Sequence, residues 1–333
     1  MSYKIAVADS VFPNLDPARE VVSTIGGQLE LAADKTPEAI LKVAAQADAL
    51  LVTYAKITAD MIQQMPKCRI ISRFGIGVDN VDIPAATEKG IVVTKVPDYC
   101  IDEVSDHAVA LLLAAVRKIP FSNKQVHSGI WKMPEVVPIR RLRGSVLGLV
   151  GFGRIPQLVA PKAKPFGLRV VAYDPFVPAE VFQKAGVESV SFDELIRISD
   201  YVSVHSPLTP ETKGLFNAET FRRMKKTAYL VNTARGPIID EEALAKALDA
   251  GEIAGAALDV MTQEPPTSSP LFGRDNVIIT PHTSFYSDES LVELQTKAAQ
   301  EVVAVLSGKP PRNPVNPEAL TVAGGLQASG PKK

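Results

Sequence analysis

The stretch Val146-Leu-Gly-Leu-Val-Gly151-Phe-Gly153-Arg-Ile-Pro156 decides the fold. Its apolar start reads as a strand, the two glycines as a tight turn, and the segment from Arg154 as a helix. In that order Gly151 permits the turn, Gly153 lets backbone N–H groups approach a pyrophosphate, and the positive helix end meets the phosphate charge. The next strand, 169–173, ends at Asp174, about 20 residues beyond the turn, where a carboxylate accepts from the hydroxyls of an adenosine ribose and repels a 2′-phosphate. These residues point to NAD rather than NADP. Pro156 stands where Gly or Ala usually allows close helix–strand packing, and a proline in the first turn is tolerated. Pro161, a turn later, is expected to kink this helix or shift its start.

Outward from that stretch, short β-branched runs alternate with segments of helical period. Before it lie strands 4–9, 49–52 and 70–74 with helices 36–45 and 58–65; after it lie strands 201–204, 228–232, 255–258 and 277–279 with helix 241–250. Parallel strands need crossovers, and helices are the usual ones, so the alternation predicts parallel sheets covered on both faces. An apolar helix, 102–116, joins the two arrays, and a long helix, 288–306, crosses back to the first. The expected fold is α/β with two Rossmann-like domains, one flavodoxin-like and one dinucleotide-binding, and an active site in the cleft between them. The boundaries read as 1–101 plus 285–317 for the discontinuous substrate-binding domain and 102–284 for the NAD-binding domain, with a hinge near 100–103 and 284–288. The Pro- and Gly-rich tail, 318–333, has no apolar period and is expected to be disordered.

Composition agrees with two domains. A chain of 333 residues is long for one core, since cores stop growing near ~250–300 residues. Hydrophobic residues make up 46% and charged residues 22%, the mix of an ordinary globular protein. With 36 Lys plus Arg against 37 Asp plus Glu, no global field attracts nucleic acid or an anionic membrane. Cys68 and Cys100 are too few for a Cys-rich zinc site or a disulfide framework, so no metal is expected and a reducing cytoplasm fits. The N-terminus runs straight into the strand 4–9 with no charged leader, and the longest apolar run, 108–116, falls far short of the ~20 residues needed to cross a bilayer.

Three polar islands follow apolar strands in the second array: Asn232-Thr-Ala-Arg235-Gly236, Asp259-Val-Met-Thr-Gln-Glu264-Pro265 and Thr280-Pro-His282. Strand ends are where open α/β sheets bind ligands. A guanidinium can hold a carboxylate or carbonyl, a histidine can exchange a proton near neutral pH, and a glutamate can orient that histidine and raise its pKa. Ketone reduction needs such a set. Each residue also has a plainer reading: Arg235 as a packing arginine, Glu264 as a turn residue, His282 as a helix cap. His107, His127 and His205 are open to structural roles.

The segments Ser72-Arg-Phe-Gly-Ile-Gly77-Val-Asp-Asn-Val-Asp82, the Gly151 turn, Asn232–Gly236, Ala257–Val260, Glu264-Pro265 and Thr280–His282 span nearly the whole chain. Together they resemble the D-isomer-specific 2-hydroxyacid dehydrogenase family, nearest its phosphoglycerate dehydrogenase, glyoxylate/hydroxypyruvate reductase and C-terminal binding protein branch. The resemblance implies Arg235 as the substrate-binding arginine, His282 as the proton donor and acceptor, and Glu264 as its carboxylate partner. It implies that N–H groups of Ile76 and Gly77 hold the substrate carboxylate, with Arg73 nearby. Around NAD it implies Arg154 and Ile155 at the pyrophosphate, Asp174 at the ribose, a loop from Ser206 and Pro207 to Thr212 over the adenine side, and Ala234, Arg235, Asp259 and His282 toward the nicotinamide. Phe285 would wall the substrate side chain or simply fill the core; Tyr54 and Cys100 are further pocket candidates. A homodimer is implied, with helix 102–116 as a candidate surface. Set beside longer phosphoglycerate dehydrogenases with a C-terminal regulatory domain, the sequence carries the expectation of no serine feedback.

The expected activity is reversible hydride transfer between NADH and a small 2-oxo acid of the glyoxylate, hydroxypyruvate, pyruvate or phosphohydroxypyruvate type, slowing as pH rises and the histidine loses its proton. The alternative is an NAD(H)-sensing binding protein akin to the C-terminal binding proteins, with little turnover; NADH binding without oxidation would distinguish it. Formate-type chemistry, a third reading, would not want the Glu264–His282 pair.

Overall fold

The computed structural model describes residues 2–322. The chain divides into two compact units, Met1–Tyr99 with Ser287–Lys333, and Cys100–Tyr286.

The first unit carries β1 (Tyr3–Val7), α1 (Asp16–Ser23), β2 (Gly27–Leu31), α2 (Pro37–Ala44), β3 (Ala49–Val52), α3 (Ala59–Gln63), β4 (Ile70–Arg73), α4 (Ile83–Glu88) and β5 (Val92–Thr94). Its five strands are all parallel in the order β2-β1-β3-β4-β5, the flavodoxin-like arrangement. β3, β4 and β5 are buried along their whole length, as strands covered on both faces must be. β2, by contrast, is an edge strand of sequence GQLEL with no buried residue, and its weak apolar pattern is why periodicity does not find it.

The returning segment supplies α12 (Asp288–Leu306), opened by a reciprocal capping box between Ser287 and Ser290. It packs against α1, β3 and β4. Beyond it the backbone pairs with β5: Val315 N–H donates to Val93 O, and Lys95 N–H to Asn313 O. Asn316, fully buried, accepts from Val93 N–H at 2.7 Å and donates to Thr87 Oγ1 at 2.8 Å and Ile91 O at 3.0 Å. A short helix, α13 (Ala319–Val322), follows with Ala319 and Leu320 buried. The tail expected to be disordered from 318 is therefore helical over Ala319–Val322, where Asn316 and the buried pair Ala319 and Leu320 anchor a segment without periodicity; 323–333 lie outside the described residues.

The second unit carries α5 (Ile101–Val116), α6 (Ile119–His127), β6 (Val146–Val150), α7 (Arg154–Ala163), β7 (Arg169–Tyr173), α8 (Ala179–Ala185), β8 (Glu188–Ser189), α9 (Phe192–Ile198), β9 (Tyr201–Val204), α10 (Ala218–Arg223), β10 (Tyr229–Asn232), α11 (Glu241–Asp249), β11 (Gly255–Leu258) and β12 (Val277–Ile279). Its seven strands are parallel in the order β12-β11-β10-β9-β6-β7-β8. Strand order reverses between β6 and β9, the switch point at which such sheets bind nucleotides.

Alternation along the strands splits the core of this unit in two. Leu147, Leu149, Val170, Val231 and Ala257 face α5, α7 and α8, while Val150, Val202, Val204, Leu230 and Leu258 face α9, α10 and α11. Half of α5 is buried, and it packs on α7, β10, β11 and β12. The apolar character of its buried half is thus explained by this core. α7 begins at Arg154 as expected and runs through Pro161 to Ala163, so Pro161 does not shift its start. Among the described residues no helix is long and apolar enough to cross a membrane.

Candidate active site

The three polar islands sit at the carboxyl ends of β10, β11 and β12, which are neighbours in register: Asn232 pairs with Leu258, and Leu258 with Ile279. Buried Asn232 shapes the first turn, accepting from Ala234 N–H at 2.9 Å and donating to Arg235 O at 2.9 Å. The Arg235 guanidinium donates to Ala234 O at 2.8 Å. Gly236 lets this turn touch the next loop, since a Cβ there would lie 2.0 Å from the backbone of Met261.

Met261 N–H in turn donates to Glu264 Oε1 at 2.9 Å, and Glu264 Oε2 faces His282 Nδ1 at 2.6 Å. A carboxylate only accepts, so Nδ1 carries the proton of that bond. The two side chains are 32% and 23% exposed, open enough to meet a ligand. His282 adopts φ +53, a left-handed conformation uncommon outside glycine, and its turn is held from Asp259. His282 N–H donates to Asp259 O at 2.8 Å, and the Asp259 carboxylate accepts from Thr283 N–H, Ser284 N–H and Thr280 Oγ1 at 2.9, 2.9 and 2.6 Å. Phe285 stands edge-on to His282 with ring centroids 6.1 Å apart.

The expected pairing of Glu264 with His282 is therefore present, and Arg235 lies on the turn that abuts their loop. Asp259 is 1% exposed and its oxygens are engaged by the His282 turn, so it anchors that turn. Asn232 and Thr280 hold the site together and were not singled out from sequence; a polar residue closing an otherwise apolar strand was the available signal.

On the same edge, the residues assigned to NAD gather about the switch point. Gly151 has φ +92, and a Cβ there would come within 2.9 Å of the backbone at His205 and Ser206, so only glycine fits. Gly153, the residue before α7, has open space where a Cβ would stand, and no side chain caps the helix end, leaving the Arg154 and Ile155 N–H groups to an anion. Pro156, third in the helix, offers none. Asp174 accepts from Phe152 N–H at 2.8 Å and Phe176 N–H at 2.9 Å, which fixes it beside the glycine turn. Ser206 Oγ and Thr233 Oγ1 are buried hydroxyl oxygens with no partner among the described residues, as groups awaiting a polar ligand would be. Thr212 Oγ1 donates to Pro207 O at 2.7 Å and so braces its own loop. These residues fit a dinucleotide.

In the first unit, Ser72 to Gly77 leave the carboxyl end of β4. Arg73 is 9% exposed, donates to Phe74 O at 2.7 Å and lies over the Tyr54 ring, 5.9 Å from its centroid. Its guanidinium occupies the space a Cβ on Gly75 would need. Asp9, buried, accepts from the Thr53 and Tyr54 N–H groups at 2.8 Å each and sets the Tyr54 loop. Cys100 is buried, and burial pushes the Cys68 thiol up to about 12, so Cys68 is no nucleophile.

Residues 109–284 match the family model described as D-isomer specific 2-hydroxyacid dehydrogenase, NAD binding domain. The chain is 41% identical over 315 residues to D-3-phosphoglycerate dehydrogenase of Methanocaldococcus jannaschii, a match covering 94% of this chain and 59% of the relative. It thus spans about three-fifths of the length of the curated relatives it matches. Among solved structures, the TT0316 protein from Thermus thermophilus superposes with TM-score 0.86 at 36% identity, covering 94% of this chain and 99% of that one. D-Lactate dehydrogenase from Aquifex aeolicus, complexed with NAD and lactic acid, gives TM-score 0.83 at 27% identity over 96% and 98% of the two chains. With the glycine turn, the switch point and the Glu264–His282 pair in place, the chain belongs to the D-isomer-specific 2-hydroxyacid dehydrogenase family, and residues 109–284 are its NAD-binding domain.

Proposed function

We propose that the protein is an NAD-dependent D-2-hydroxyacid dehydrogenase that reversibly reduces a small 2-oxo acid of the glyoxylate, hydroxypyruvate, pyruvate or phosphohydroxypyruvate type. The observation that carries this reading is the Glu264 Oε2–His282 Nδ1 contact of 2.6 Å beside the Arg235 turn. When bound, NADH supplies a hydride to the carbonyl carbon. His282 gives the carbonyl oxygen a proton, so the 2-oxo acid becomes a 2-hydroxy acid. Because Nδ1 faces Glu264, the proton transfer is assigned to Nε2. Glu264 stabilises the cationic ring before transfer and fixes its orientation. Arg235 places a cation where negative charge develops on oxygen. The N–H groups of Ile76 and Gly77 take the substrate carboxylate, with Arg73 shaping that loop and Phe285 walling the substrate side chain. Arg154, Ile155, Asp174, Ser206, Pro207, Thr212 and Ala234 hold the cofactor.

A homodimer is part of this proposal. Its support is the segment after α5: α6 buries none of its residues, and Ile119, Val126, Trp131, Met133 and Val137 expose their apolar side chains. A hollow of about 440 Å³, lined by Phe121, Pro138, Tyr201 and Tyr229 among others, lies beside them. Such an apolar stretch marks an interaction surface. The cytoplasm is the proposed compartment, in keeping with two buried cysteines outside any disulfide.

The test follows NADH absorbance on mixing the protein with a panel of 2-oxo acids, with NADPH in parallel. Oxidation of NADH in preference to NADPH by at least one acid is expected; oxidation by none of them would overturn the proposal.

A further inference from the structure

His107 lies on α5, away from the residues assigned to chemistry, yet it reaches the loop that carries His282. Its Nε2 is 3.1 Å from Thr280 Oγ1 and 3.6 Å from Asp259 Oδ1. Thr280 Oγ1 is itself 2.6 Å from Asp259 Oδ1. An ionised carboxylate has no proton to give, so the single hydroxyl proton of Thr280 goes to Asp259. The hydroxyl can then only accept from His107, which puts a proton on His107 Nε2 and directs the same N–H edge toward the buried carboxylate.

The consequence lies at His282. Asp259 holds the turn after β12 through the Thr283 and Ser284 amides and, by its carbonyl, the amide of His282 at φ +53. A residue held at positive φ persists only where its surroundings fix it. The Thr280 hydroxyl and the His107 N–H edge both face the Asp259 carboxylate, and His107 reaches it from outside this turn. Removing His107 leaves the 1% exposed Asp259 without its link to α5.

We propose that His107 is a positioning residue for the reaction: through Thr280 and Asp259 it ties the His282 turn to α5 and keeps the imidazole at its working angle to Glu264. This rests on the dehydrogenase reading above. His107 does not touch the reacting atoms in this account and adds no proton of its own to the substrate.

The experiment compares the full-length wild type with His107→Leu and His107→Gln, the second retaining an N–H donor at the reach of Nε2. Each is measured for kcat, for KM and Kd toward NADH, for melting temperature, and by ¹⁵N-histidine NMR. His107→Leu should lose kcat by roughly 10- to 100-fold, the scale expected when a reacting group is misplaced by about 1 Å, while NADH affinity changes little. His107→Gln should recover most of the loss. In the wild type the His107 signals should report the Nε2–H tautomer, and in His107→Leu the His282 signals should shift or broaden. A wild-type Nδ1–H tautomer, His282 signals unchanged in His107→Leu, or a kcat loss that tracks the melting temperature in both variants would overturn the positioning role. Failure of the dehydrogenase reading shows up differently, as a wild type inactive on every 2-oxo acid, and the NMR arm judges His107 in that case too.

Discussion

Desolvation pushes the imidazole of His205 down to about 3, against an ordinary value of 6.5. The sign of its effect follows: below about 6.5 the unfolded chain takes up a proton that the folded chain refuses until about 3, so stability contributed by neutral His205 is lost as pH falls through that window. Urea titrations at pH 7 and pH 4.5 should therefore show a larger loss in the wild type than in His205→Gln; equal losses would mean the ring is hydrated. At the same scale, Arg235, Glu264 and His282 were legible in the sequence because their side chains are chemically distinctive and follow apolar strands. The family resemblance places Asp259 toward the nicotinamide, while the bracing its carboxylate gives to a turn at φ +53 is something no local pattern announces. Asn232 escaped for a related reason, being a buried polar residue whose partners lie two and three residues ahead.

Among elements, α7 and the segment after α12 depart from simple expectation. Pro161 sits in the interior of α7 with its ring exposed, where it supplies no N–H to the carbonyl one turn back. Pro161→Ala should raise stability by about 2 kcal/mol, the interior cost of proline less the entropy it removes from the unfolded chain; a lower melting temperature in this variant would show that the ring packs favourably where it is. Asn316 makes the opposite case. Its three bonds stitch the returning chain to α4 and to β5 with the residue before it, and Asn316→Ala should cost about 3 kcal/mol in chemical denaturation, because buried donors and acceptors lose their partners. A loss below about 1 kcal/mol would mean that water replaces the side chain readily. Strands buried on both faces, such as β4, β9 and β10, were readable from sequence as short apolar runs. The edge strands β2 and β8 and the short helices α4 and α10 were not, since their placement is set by tertiary contact rather than by periodicity.

For the whole molecule, every paired strand in both sheets is parallel and parallel strands need crossovers, usually helices, which is why alternation along the chain suffices to predict two α/β units. The surface is less legible: apolarity draws attention to α5, half of which is core, and away from α6 and the segment to Val137, which are exposed. Light scattering should give a dimer mass for the wild type and a shift toward monomer for the double variant Trp131→Ser, Met133→Ser; a wild-type monomer at micromolar concentration would refute the dimer proposal.

The central claim is that the Glu264–His282 pair supplies the proton for reduction of a 2-oxo acid. The most direct test is the single-turnover rate of NADH oxidation in the wild type and in His282→Ala, on the best acid of the panel, with NADH binding measured alongside. The account predicts a fall of about 10²–10⁴-fold in the variant with NADH still bound. A variant as fast as the wild type would contradict it.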